Sequence, residues 1–492
     1  MKRLLTAVTI AFLAGAAPAY AAGGLRHVTV DASRPAGFIR SLQGVSGSPL
    51  PGDDSHPDLT AEQRSLGVDL VRTHDIDCKG TGDIDGLGVN RIFRDWSADP
   101  NDPASYNFAP TDRAILSIVR AGEQVEFNLG HSDLSCAGIG FNNTPPPDPA
   151  KYALVARNVA RHYNDGWAHG YHLGIRYWEI WNEPDLVPFW SGTREQFYAL
   201  YAATSRALKS LHPWMQIGTP ALTTNNDLTG YRESLLAFIR AHRLPLDFYS
   251  IHHYSDFTED PLDFNRLGDE YRALLDRYGF RHAAIQLTEW NYGLQEVPSA
   301  LQRAAYVASS LVLMQDSRLS RAVYYRNDAD NGTDFALALN DGTLTKAGAA
   351  FKAVGALGRT PLRLATSGGD DQGFSVEAGR GWRGRVRVLI SNYEIPAADQ
   401  GPLPFPDNIL AIPGIGTFTL LDRRPVTYTD NAGYDLEVRG LRPHRWYVVR
   451  RYRVDDTHDL TLVDRSVARG RDVRLSATLP APAVELVKID PR

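Results

Sequence analysis

"IRYWEIWNEP", residues 175–184, is apolar at five of its first seven positions, in no strict alternation, and then closes on an acid and a proline. A strand with one wet face would alternate, whereas a run of this kind suits a strand buried on both faces in a parallel sheet. Seven further runs are strand candidates, several of the eight apolar at nearly every position: "LQGVSG" (42–47), "VDLVRTHD" (68–75), "VEFNLG" (125–130), "MQIGTP" (215–220), "LDFYSIHHY" (246–254), "AIQLTEW" (284–290) and "AVYYRND" (322–328). The intervals between them carry helix signals. Asp148-Pro149 is an N-cap with proline at the first helical position, followed by Tyr152, Val155, Val159, Tyr163 and Trp167 close to helical spacing. Thr193 with Gln196 makes a capping box ahead of Phe197, Leu200, Tyr201, Leu208 and Leu211. Strands alternating with helices predict parallel βαβ units, and eight of them predict an α/β fold, a (β/α)8 TIM barrel over residues 35–358.

Beyond Arg359 the texture changes. "RVRVLISNYEI", "GTFTLLD", "YDLEVRGL", "RWYVVRRYRV" and "AVELVKID" alternate with period two between Gly, Pro and Asp turns, which predicts a C-terminal antiparallel β-sandwich domain over residues 359–492. The segment 22–34, holding "RHVTVDAS", is an orphan strand ahead of the barrel and is expected to join that sandwich. No row of exposed aromatics can be picked out of the sandwich, so its expected role is structural.

Residues 1–21 read as a secretory signal peptide: Lys2 and Arg3 give the positive start, Leu4 to Ala17 the apolar stretch, and Ala19-Tyr20-Ala21 the cleavage site. The expected location is secreted or periplasmic, with no membrane attachment after the signal is removed. The formal charge of −5 becomes two units more negative once Lys2 and Arg3 are gone. Nothing in that balance resembles a nucleic-acid footprint. The two cysteines, Cys78 and Cys136, follow the second and third strands, and in an oxidising compartment they could form a disulfide.

In a barrel of this kind the working residues sit at the C-terminal ends of the strands. Glu183 lies there on the fourth strand, and Glu289, in "QLTEWNYG", has a similar setting at the end of the seventh. Two carboxyls facing each other across a barrel mouth are what cleavage of a glycosidic bond requires: one protonates the leaving oxygen, the other attacks carbon. The acidic loop "DIDCKGTGDIDG" fails the calcium-loop pattern, because Lys79 takes a ligand position and no Glu closes it. No metal and no cofactor is expected.

W-N-E-P after the fourth strand and T-E-W-N at the seventh resemble the acid/base and nucleophile motifs of the clan A barrel glycosidases. Within that clan the chain most resembles glycoside hydrolase family 39, which holds β-xylosidases, α-L-iduronidases and some bacterial exopolysaccharide hydrolases. The resemblance implies Glu183 as general acid/base and Glu289 as nucleophile. "VRTHD" resembles the family's V-R-F-H, implying Arg72 near the nucleophile and His74 on the sugar. Asn182 would bond the 2-hydroxyl. "SIHHY" resembles S-T-H-A-Y, implying His252 as a sugar contact and Tyr254 as the donor that holds Glu289. The chain departs from the family at the eighth strand, where Tyr325 stands in place of the usual Trp, and in the loop after the second strand.

The expected function is therefore a secreted retaining O-glycoside hydrolase acting on an oligo- or polysaccharide, β-xylosidase-like and exo-acting. Glu183 must hold a proton at rest, which asks its surroundings to raise its pKa. The alternatives are an endo-acting hydrolase of a bacterial exopolysaccharide and a non-catalytic carbohydrate-binding barrel. Retention of both glutamates argues against the last.

Overall fold

A computed structural model describes residues 25–50, 57–74, 88–130, 143–224, 229–255, 260–293, 298–329, 335–395, 409–412, 416–419, 428 and 433–492. Cys78 and Cys136 lie outside these residues, as does the acidic loop after the second barrel strand. Parallel strands form a closed barrel from Gly44–Ser46, Leu70–Arg72, Gln124–Asn128, Tyr177–Glu179, Gln216–Gly218, Phe248–Ser255, Ala284–Tyr292 and Leu319–Tyr324. Each of the eight runs that opened the sequence reading contributes one of them. The ring closes where Val323 and Tyr324 pair with Gly44 and Val45.

Two departures from regularity shape the barrel mouth. The fourth strand stops at Glu179, so the chain from Ile180 to Pro184 is irregular. The fifth strand is broken: Gly218 pairs with Phe248, the chain leaves the ladder, and Leu222–Thr223 rejoins beside Ile251 and His252.

The helices start where side chains can satisfy their first amides. Asp148 accepts from the Ala150 N–H at 2.8 Å and Pro149 opens the helix Pro149–Asp165, which ends at Gly166 in the left-handed region. Thr193 and Gln196 form the reciprocal box on Arg194–Leu211, and Ser299 with Gln302 repeats it on Ala300–Leu313. Tyr152, Val155, Val159 and Tyr163 turn inward from the first of these helices and are buried.

A second sheet of nine strands is continuous in its hydrogen bonding. Val28 and Leu436 from one half share a hydrophobic cluster with Val388, Val449 and Val487 from the other, so the sheet folds over itself as a sandwich. Arg26–Phe38 lies within it, antiparallel to Leu362–Ser367 and parallel to Gly433–Arg439. That parallel pair is the one exception to antiparallel order among its described pairings. Gly416–Thr419, from "GTFTLLD", pairs instead with Ile409–Ile412 in a separate hairpin. Leu389, Val484 and Leu486 belong to the same hydrophobic cluster as the barrel and its helices Ala300–Leu313 and Lys346–Gly358. Barrel and sandwich thus share a core. Among the described residues no helix is long and apolar enough to cross a membrane.

Candidate active site

Glu183 leaves the barrel wall through a strained turn. Trp181 and Glu183 hold φ at 76° and 46°, the left-handed region that costs a side-chain-bearing residue about 1–3 kcal/mol. Neighbouring contacts fix this geometry. The Trp181 indole is buried and donates to the Phe189 carbonyl at 2.9 Å, and its own carbonyl accepts from Asn128 Nδ2 at 2.9 Å. The Glu183 N–H donates to the carbonyl of Pro220 at 2.8 Å, within the break in the fifth strand. Gly130 lets the third and fourth loops touch, since a Cβ there would lie 2.5 Å from the Trp181 Cα.

Glu289 lies within the strand Ala284–Tyr292, just past Leu287, where the register shifts against both neighbouring strands, and is buried. Arg72 Nη1 donates to its Oε1 at 2.7 Å and the Tyr254 hydroxyl to its Oε2 at 2.7 Å. His74 Nδ1 lies 3.4 Å from the first oxygen and His252 Nδ1 3.5 Å from the second. Burial alone would push this carboxyl up, but His252, a hydrogen bond from His74 and the Arg72 charge outweigh it and hold it at about 2. It is ionised across any working pH. His252 Nδ1 also meets Glu183 Oε1 at 2.7 Å, so the imidazole sits between the two acids. Its expected place on the sugar is thereby shared with a place on the carboxyls. One oxygen of Glu183, one ring nitrogen of His252 and one oxygen of Glu289 all lie within 4.8 Å of one another. A cation could use such a set, but Arg72 and Tyr254 already engage both Glu289 oxygens, and Arg72 supplies the neutralising charge.

Beneath the pair lies a polar layer of which sequence reasoning named Arg72 and Asn182 but missed Glu179, Asn128, Thr288 and Glu126. Fully buried Arg72 is held by Glu179 at 2.6 Å through Nε and donates through Nη2 to Asn182 Oδ1 at 2.7 Å. Glu179 in turn accepts from Asn128 at 2.7 Å and Thr288 at 3.0 Å. Glu126 is also buried, with no hydrogen-bond partner among the described residues on either carboxyl oxygen. Burial first, and then Glu179, push it up to about 8. An acid inside a strand that the sequence shows to be buried was the available signal for Glu126 and Glu179.

The remaining expected residues fall around this centre. The Tyr325 ring meets Tyr254 at 6.0 Å and Phe335 at 5.9 Å, forming an aromatic wall beside the nucleophile candidate, and Phe335 was not foreseen. Asn291 Nδ2 donates to the Tyr325 carbonyl. His253 turns away from the two glutamates to meet Thr224 Oγ1 at 2.7 Å.

A parallel eight-stranded barrel with two buried glutamates facing each other at the mouth, one pinned by arginine and tyrosine, is a barrel glycosidase by class. Residues 46–265 match the sequence profile described as glycosyl hydrolases family 39. A β-xylosidase of Geobacillus stearothermophilus is 27% identical over 281 residues, which are 51% of this chain and 53% of that protein. The match therefore spans about half the length of this curated relative. A glucosidase of Croceicoccus marinus of known structure is 33% identical with a TM-score of 0.82, covering 95% of this chain and 99% of that one. A monomeric β-xylosidase of Caulobacter crescentus CB15 shares the fold, with 19% identity, a TM-score of 0.70, and coverage of 95% and 99%. The chain belongs to glycosyl hydrolase family 39.

Proposed function

We propose that the chain is a secreted, retaining O-glycoside hydrolase in which Glu289 is the nucleophile and Glu183 the acid and base. The observation that carries this reading is the spacing of the two acids, whose oxygens approach within 4.8 Å. Retaining enzymes hold their carboxyls about 5–5.5 Å apart, and inverting ones leave roughly 6.5–9.5 Å for a water. The nearest oxygens lie closer than the inverting range, which supports retention.

The charge around Glu289 supports this division of roles. Glu289 is kept ionised at about 2 by the groups around it, which suits attack on the anomeric carbon. Glu183 has His252 at hand and lies where the leaving oxygen would depart. Attack by Glu289 forms a glycosyl ester while Glu183 gives its proton to that oxygen. Water, deprotonated by Glu183, then releases the sugar with its original configuration. The Asn182 carbonyl is committed to Arg72, so its NH2 end is the one presented to the 2-hydroxyl. His74 and Tyr325 border the sugar, Tyr254 holds the nucleophile, and Arg72 balances its charge.

For substrate, a β-xyloside cleaved from the chain end is the first choice, after the β-xylosidase relative. The similarity to the Croceicoccus marinus glucosidase favours a β-glucoside as the second reading. Export rests on the leader-like segment 1–21. A panel of aryl glycosides identifies the sugar, and proton NMR of the best one identifies the stereochemistry. The β-anomer should appear first and mutarotate later. An α-anomer formed first from a β-glycoside would mean an inverting enzyme.

A further inference from the structure

Three loops meet at one end of the sandwich. Val386 and Val449 flank Ile489 on neighbouring strands. The hairpin 381–385 precedes Val386 and the turn 442–446 precedes Val449, so both run past the same end of the sheet. The third, 469–472, joins them because Arg469 is the strand partner of Trp446 and the Gly470 N–H donates to the Arg445 carbonyl at 3.1 Å. Leu441 N–H likewise donates to the Arg471 carbonyl at 2.9 Å.

The chemistry of this end differs from that of the rest of the molecule. Trp382 and Trp446 are the two tryptophans it carries, and they are 87% and 49% exposed. Trp446 opens its strand and Trp382 lies in the turn ahead of Val386–Asn392, a strand two places away in the sheet and so on the order of 10 Å from it. The same loops hold Arg383, Arg385, Arg442, Arg445, Arg469 and Arg471, all exposed, against the single acid Asp472. The chain as a whole carries −5. Asp490, at this same end of the intervening strand, pairs with Arg387 at 2.7 Å and Arg450 at 3.1 Å and reaches Arg385 at 4.0 Å. The Arg469 guanidinium stands 5.5 Å over the Trp446 ring, so a cation and an indole sit side by side here.

We infer that this end of the sandwich is a binding site for an acidic polysaccharide, separate from the barrel mouth. Indole faces stack on the C–H faces of sugar rings. Guanidinium forks take carboxylates bidentately. Two exposed tryptophans with arginines in the same loops suit an extended acidic chain, the rings taking sugar faces and the guanidiniums the carboxylates. The inference rests on the reading of the chain as a glycan-active enzyme and narrows it, because a site of this charge holds the enzyme on a uronate-bearing polymer while the barrel cleaves its bonds.

Affinity electrophoresis of the full chain through gels containing polygalacturonate, neutral xylan or single-stranded DNA tests this. Polygalacturonate should retard the protein more than the other two. Trp382→Ala with Trp446→Ala, and separately Arg383→Glu with Arg445→Glu, should each weaken that retention about tenfold or more. Aryl glycoside hydrolysis should be unchanged in both variants. No retention, equal retention by xylan, or equal retention by DNA would overturn the inference. An intact chain that binds polygalacturonate but cleaves no glycoside would instead contradict the catalytic reading and leave the binding site standing.

Discussion

Glu183 at φ 46° and Trp181 at φ 76° point a carboxyl into the barrel mouth at a backbone cost of about 1–3 kcal/mol each, held by the Pro220 carbonyl and the buried Trp181 indole. The acid so placed has a role that leaving-group chemistry can isolate. Glu183→Ala should lose about 10²–10⁴-fold on glycosides whose leaving group needs a proton. An activated aryl glycoside should still form the ester, and added azide should restore turnover to a glycosyl azide of retained configuration. An inverted azide from this variant would exchange the roles of the two glutamates. Glu126 makes a different prediction, about stability. Its pKa rises from 4.5 unfolded to about 8 folded, so the folded state holds a proton that the unfolded state has lost between those values. Its stabilising share is complete below about pH 4.5 and is lost as pH rises through 8. Glu123, pushed to about 8, and Glu377, pushed to about 7, both chiefly by burial, add slopes of the same sign. Melting temperature should therefore fall between about pH 5 and pH 8, and Glu126→Gln should flatten part of that fall. An unaltered slope would mean that Glu126 is already ionised in the fold.

At the level of elements, the site depends on two loops approaching more closely than side chains allow. Gly130 ends the third strand's turn against the Trp181 backbone, where an added Cβ would lie 2.5 Å from Cα and 2.8 Å from the Asn182 nitrogen. Backbone cannot step aside as a rotamer can. Gly130→Ala should cost about 1–3 kcal/mol in denaturant midpoint and depress kcat more than KM, because it displaces Glu183 without touching the sugar. Unchanged kcat with a normal midpoint would show that the loops separate freely. Much of this level could be read from the chain. The barrel strands came from buried runs and the helix starts from Asp148, Thr193 and Gln196, whose capping chemistry is local. The break in the fifth strand and the early end of the fourth could not be read, because both answer to Pro220 and Glu183, which meet only in three dimensions. Strands such as Asp459–Arg469, exposed along most of its length, gave too little apolar pattern to register. His252 shows the same limit within the site: its type was legible, but its position between two carboxyls was set by the sixth strand's register against the seventh.

Across the whole molecule, barrel and sandwich share hydrophobic contacts through Ala300–Leu313 and Lys346–Gly358, with Ser391 Oγ donating to the Ala305 carbonyl at 3.0 Å. The first of these helices follows the seventh strand, which carries Glu289, so the packing that fixes the sandwich also supports the strand of the proposed nucleophile. The barrel's polar interior completes that support, with Glu179 holding Arg72 and Arg72 holding Glu289. On the proposed mechanism this arrangement serves one chemical event, formation of an ester on a Glu289 oxygen. A 2-deoxy-2-fluoro glycoside with an activated leaving group forms that ester quickly and loses it slowly, because the fluorine destabilises the oxocarbenium-like transition states of both steps while the leaving group offsets the first. Intact-mass and peptide mapping after such treatment should find one fluoroglycosyl group per chain, on Glu289, with activity lost in proportion. A label on Glu183 or elsewhere, or full turnover with no label, would contradict the account.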